Sequence, residues 1–124
     1  MQFFCVAKSD PKTEAGRSFD PELFATMGAF VEEQMKSGVL QATAGLHPSS
    51  KAARIRLAKD KLTVTDGPFA EAKEVIASYA IIKVNSQQQA VENVAKFLKL
   101  AGGGEADIYQ IFEESDFAEC LGKP

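Results

Sequence analysis

Residues 75–84 carry Val75, Ile76, Ala77, Tyr79, Ala80, Ile81, Ile82 and Val84, so both alternating faces of the segment are apolar. Side chains of a strand point to opposite faces in turn, and a half-solvated strand would show polar residues at every second position. This segment does not, and it is too short to cross a membrane. It reads as a central strand that must be covered on both sides, and the rest of the chain has to supply the covers.

Two helices supply one of them. Asp20-Pro21-Glu22 is a strong helix start, with Asp as cap, Pro where its missing N–H is harmless, and an acid near the positive end of the helix dipole. Leu23, Phe24, Met27, Phe30, Val31 and Met35 then share a face, and Gly38 supplies the stop. Ser86 with Gln89 three residues on forms a capping box, followed by Ala90, Val91, Val94, Phe97 and Leu98 on one face. Shorter apolar runs at residues 3–7, 39–46 and 106–112 read as strands, and residues 8–19 as a loop. Residues 53–65 read as a hairpin turning at Lys59-Asp60, with Ile55, Leu57, Leu62 and Val64 on one face and Arg54, Arg56, Thr63 and Thr65 on the other.

The order is β-α-β, hairpin, β-α-β. This predicts an α+β fold of the ferredoxin-like, split-βαβ type with a hairpin inserted between its halves. Two helices cover one face of such a sheet. A second copy packed sheet to sheet is the economical cover for the other, so a homodimer is expected.

With 124 residues the chain is expected to be a single domain over 1–124, with an acidic, frayed tail at 113–124. Acidic residues outnumber basic ones by 17 to 14, which argues against a phosphate-neutralising nucleic-acid surface. Cys5 and Cys120 form no metal or redox pair and are expected to be reduced. Residues 3–7 are too short an apolar run for a signal peptide, so the expected location is cytoplasmic, without a membrane partner. Gly102-Gly103-Gly104 follows a helix rather than opening one and is no phosphate loop. No metal-ligand spacing or dinucleotide fingerprint is present, and neither metal nor cofactor is expected.

Between the hairpin and the central strand lies Val64-Thr65-Asp66-Gly67-Pro68-Phe69-Ala70-Glu71-Ala72-Lys73-Glu74. Gly67 allows a positive φ or a close backbone approach, and Pro68 fixes φ and removes a donor. The pair would set where Asp66 and Phe69 point. Asp66 could bond the following amides as an Asx-turn, or act as a general acid or base in a pocket. Phe69 could anchor the core or line a ligand site.

Together with Gly45-Leu46-His47-Pro48, this run resembles the DGPF subgroup of the YCII-related protein family over nearly the whole chain. The resemblance implies a ferredoxin-like subunit in a dimeric α/β barrel with a cleft near the hairpin base. Some relatives are enzymes, among them a dehydrochlorinase of a chlorinated hydroxyhydroquinone. Others are encoded beside extracytoplasmic-function (ECF) sigma factors, which implies a regulatory partner. Relatives with an active site place a His on the first helix beside an Asp, where this chain has Met27 and Gly28. A catalytic pair would therefore draw on Asp66 and His47, the single histidine. Arg54, Arg56, Phe69, Lys73 and Glu74 are the expected ligand-binding residues, the arginines because a guanidinium fork fits carboxylate or phosphate. The reading that follows is a small-ligand binding or regulatory module. The alternative is a cofactor-independent acid–base lyase or isomerase.

Overall fold

The computed structural model describes residues 1–15, 20–69 and 75–122. Four strands, β1 (Gln2–Lys8), β2 (Leu40–Gly45), β5 (Ile76–Lys83) and β6 (Ala106–Gln110), form one antiparallel sheet in the order β2-β5-β1-β6. β3 (Ala53–Ala58) and β4 (Lys61–Asp66) form a separate two-stranded hairpin. The segment with two apolar faces is indeed a central strand, flanked by β1 and β2. The order is that of the ferredoxin-like fold with the hairpin between its halves.

Helices α2 (Pro21–Lys36) and α3 (Gln87–Ala101) pack on each other and on the sheet. The Asp20 carboxylate accepts from the Glu22 amide at 3.0 Å, and Gly38 follows α2 at φ +83°. Ser86 Oγ accepts from the Gln89 amide at 3.1 Å, while Gln89 Oε1 accepts from the Asn85 amide at 2.8 Å. Gly102 at φ +90° ends α3, a conformation glycine adopts without the Cβ penalty.

Phe3, Cys5, Leu40, Ile82 and Ala90 form the core between sheet and helices, with Val31, Val94 and Ile108 packed against them. Phe3 and Ile82 are 1% exposed, and burying each side chain contributes about 1.5–3 kcal/mol. Burial pushes the Cys5 thiol up to about 11. The apolar stripe expected on α2 is only partly used. Val31 reaches the core, whereas Phe24 and Met35 are exposed, because α2 lies over one edge of the sheet and buries no residue fully.

On the opposite face, the register brings Phe4 beside Ile81 and Tyr109, and Val6 beside Tyr79. The Phe4 and Tyr79 rings stack with centroids 5.6 Å apart. The hairpin exposes its apolar side as well: Ile55, Leu57, Leu62 and Val64 are 58–69% exposed.

Two segments differ from the sequence expectation. Within the expected loop 8–19, Pro11–Glu14 form a short helix, α1, capped by the Asp10 carboxylate on the Thr13 amide at 2.6 Å. That amide bond also holds the Asp10 carboxyl below its usual range. Residues Glu114–Cys120 of the expected frayed tail form a helix, α4. Glu113 and Asp116 cap it reciprocally, and Phe117 meets the edge of Phe112 with ring centroids 5.0 Å apart. Cys120 sits exposed at its end.

Candidate functional site

The loop after β2 turns at Leu46, whose amide donates to the Ala77 carbonyl at 2.9 Å, and runs into a single 3₁₀ turn at Ser49–Lys51. Ser49 is the one buried polar side chain among the described residues, at 2% exposure. Buried polar groups need partners, and Ser49 has them on both sides. Its amide donates to the Glu14 carboxylate at 3.1 and 3.2 Å, and its hydroxyl donates to Glu14 Oε2 at 2.6 Å. The same hydroxyl oxygen accepts from the Phe69 amide at 3.1 Å.

This arrangement shapes the Asp66-Gly67-Pro68-Phe69 turn. The Gly67 amide donates to the Ala52 carbonyl at 2.8 Å, and a Cβ built on Gly67 would coincide with the Ser49 carbonyl oxygen. Gly67 is therefore required by close backbone approach. The Gly67–Pro68 peptide is cis. Of the two roles open to Asp66, the Asx-turn is not formed among the described residues. The Phe69 amide goes to Ser49 instead, and the Asp66 carboxylate makes no hydrogen bond or ion pair among the described residues.

The turn, the loop and the base of the hairpin enclose a cleft of about 420 Å³. His47, Lys51 and Arg54 bring its charge-bearing groups, and Leu46, Pro48, Phe69 and Ile76 its apolar walls. Its volume lies within the range of small-molecule sites. The Arg54 guanidinium carbon stands 4.3 Å from the Phe69 ring centroid, a cation–π contact. Of the expected site residues, the cleft gathers His47, Arg54 and Phe69. Arg56 shares the Arg54 face of β3, opposite Thr63, but lies outside the lining, as does exposed Asp66 at the end of β4. Lys73 and Glu74 lie outside the described residues.

Glu14 and Ser49 were not among the expected residues. Ser49 sits in an unremarkable Pro-Ser-Ser turn, and its link to Glu14 spans 35 positions. The Asp10-Pro11 pair that starts α1 repeats the Asp20-Pro21 signal and was the available clue to ordered structure there.

A second cleft of about 470 Å³ opens between α2, α3 and the sheet, with Met27 on its wall. Its charged residues are occupied structurally. Asp10 and Asp20 cap helices, and Lys8 pairs with Glu105 at 2.9 Å and Asp107 at 3.2 Å. Among the described residues, no three His, Cys, Asp or Glu side chains cluster as a metal ion would require. Among the described residues, no helix is long and apolar enough to cross a membrane.

The sheet order and the inserted hairpin define a ferredoxin-like α+β protein. The chain belongs to the YCII-related family, whose domain model matches residues 1–115. It is similar in structure to 5-chloro-2-hydroxyhydroquinone dehydrochlorinase from Burkholderia phenoliruptrix, solved in complex with 2,5-dihydroxybenzoquinone. The TM-score is 0.52 at 16% identity, covering 93% of this chain and 97% of that one. At that identity the likeness is one of fold. No curated protein sequence matches the chain significantly.

Proposed function

We propose that this chain is a small-molecule-binding module whose site is the cleft at the base of the hairpin. The observation that carries the reading is the approach of Arg54 to Phe69 at 4.3 Å in a cleft that also holds His47. A concave, mostly apolar site with a few convergent polar groups is the usual form of a ligand pocket. The cleft between α2, α3 and the sheet has its charges committed to helix caps and ion pairs, which leaves them poorly placed to recognise anything else.

The working unit we propose is a homodimer. An isolated two-stranded hairpin is marginal in water, and this one exposes four large apolar side chains. A second copy would bury them together with the open sheet face around Tyr109. A regulatory role through an ECF sigma factor is supported by the family resemblance only.

The alternative is an acid–base lyase or isomerase. It is favoured by the position of His47, the only histidine, in the cleft lining. A dyad with Asp66 would bring in a carboxylate from outside that lining.

The test is a thermal-shift screen of metabolite pools on the wild type and on Phe69→Ala. A ligand of the native state raises the apparent melting temperature by mass action. The reading predicts compounds that stabilise the wild type and not the variant. Hits that stabilise both equally would remove the cleft from the account.

A further inference from the structure

Resting on the cleft as a binding site, we infer that its ligand is a small organic carboxylate with a flat apolar body. The carboxylate would be held by Arg54 and Lys51, and the body would lie against Phe69 and Ile76.

The protein carries a net charge of −3, yet the ionisable groups lining this cleft are His47, Lys51 and Arg54, with no carboxylate among the described residues. Glu14, the carboxylate bonded to the cleft wall, is taken up by three contacts from Ser49. It forms no ion pair with the arginine.

The Arg54 guanidinium makes no ion pair or side-chain hydrogen bond among the described residues and lies over the Phe69 ring. Contact with a ring face engages the charge of a guanidinium and leaves its N–H donors for other partners. Those donors form a planar fork that matches the two oxygens of a carboxylate.

The remaining walls are apolar: Leu46, Pro48, Phe69 and Ile76. A bare inorganic anion would leave them unused, whereas a flat hydrocarbon body covers them. The Phe69 amide is pinned to the buried Ser49 hydroxyl, so the aromatic platform is held in place before a ligand arrives.

The experiment is an amide-resolved NMR titration of the full chain with four probes: benzoate, benzamide, benzylamine and acetate. Benzoate isolates charge plus ring, benzamide the ring alone, benzylamine the wrong charge, and acetate the charge alone. Benzoate is expected to shift the Ser49 and Phe69 amides and to bind about tenfold or more tightly than benzamide, as a charge-assisted fork requires. Added salt should weaken benzoate and leave benzamide unchanged. Arg54→Gln, on an exposed strand, should abolish the preference for benzoate, and Arg54→Lys should restore part of it.

Equal affinity of benzoate and benzamide at these amides overturns the carboxylate assignment while leaving the cleft a ligand site. A preference that survives Arg54→Gln overturns it too. If none of the four probes perturbs the cleft amides, the binding reading falls with it.

Discussion

Glu14 and Ser49 are joined by three hydrogen-bond contacts across 35 positions of sequence, and Ser49 in turn accepts from the Phe69 amide. A short helix after the first strand is thereby connected to the loop after the second and to the turn that closes the cleft. The aromatic wall of the site is set by a buried hydroxyl with partners on both sides.

Ser49→Ala removes that hydroxyl and leaves the Phe69 amide without its partner. Loss of a buried hydrogen-bonded group of this kind costs about 1–3 kcal/mol. Chemical denaturation is expected to show a drop of that size, and hydrogen exchange should accelerate at the Phe69 amide. Unchanged exchange there would dissociate Ser49 from the turn.

Gly67→Ala places a methyl group where the Ser49 carbonyl oxygen already lies. Backbone cannot yield as a flexible side chain can, so the loop and the turn must separate. We expect one of the larger losses available to a single substitution here, above about 3 kcal/mol, by denaturant unfolding. A neutral Gly67→Ala would contradict the close approach of these two segments.

The two cysteines are expected to differ in reactivity. Cys120 is exposed, whereas Cys5 is buried and its thiol is pushed up to about 11. The thiolate is the nucleophile, so iodoacetamide at mildly alkaline pH should label Cys120 first, read by mass spectrometry after digestion. Linkage gives the sign of the pH effect. The raised value lets the folded chain hold the Cys5 proton after the unfolded chain has released it. Its contribution to stability is complete below the ordinary thiol value of 9.0 and is lost as pH rises through about 11.

Leu57→Lys with Leu62→Glu changes a cross-strand pair on the exposed side of the hairpin. Opposite charges placed directly across from one another preserve the hairpin, while the apolar patch is broken. Light scattering should give the mass of two chains for the wild type and of one for the double variant. A wild type with the mass of one chain would end the homodimer proposal.

Much of the architecture is legible in residue patterns. Residues 75–84 announce a central strand because both faces are apolar, and Asp20-Pro21 and Ser86 announce their helices through caps that the fold uses. The short helices escape that reading for a physical reason. Four residues after Asp10, or seven after Glu113, are too few to display a period of 3.6, and only their capping chemistry marks them. The site is legible in part. Gly67 in sequence leaves a positive φ or a close approach open, and the fold uses the close approach, while His47, Arg54 and Phe69 meet at one cleft. What holds the Phe69 backbone there is the Ser49 hydroxyl, itself bonded to Glu14, and such contacts depend on tertiary packing and leave no local periodicity. Asp66 looks like the chemical centre of its motif, yet the backbone of the turn is held by Ser49 and Ala52, and the aspartate faces outward.

Ligands are proposed to bind at the hairpin base and not beneath α2. Amide shifts mapped with a compound that emerges from the thermal-shift screen distinguish the two places. The perturbed amides are expected to be those of His47, Ser49, Arg54 and Phe69. Perturbation confined to Met27, Ser78 and Phe97, which line the cleft beneath α2, would contradict it.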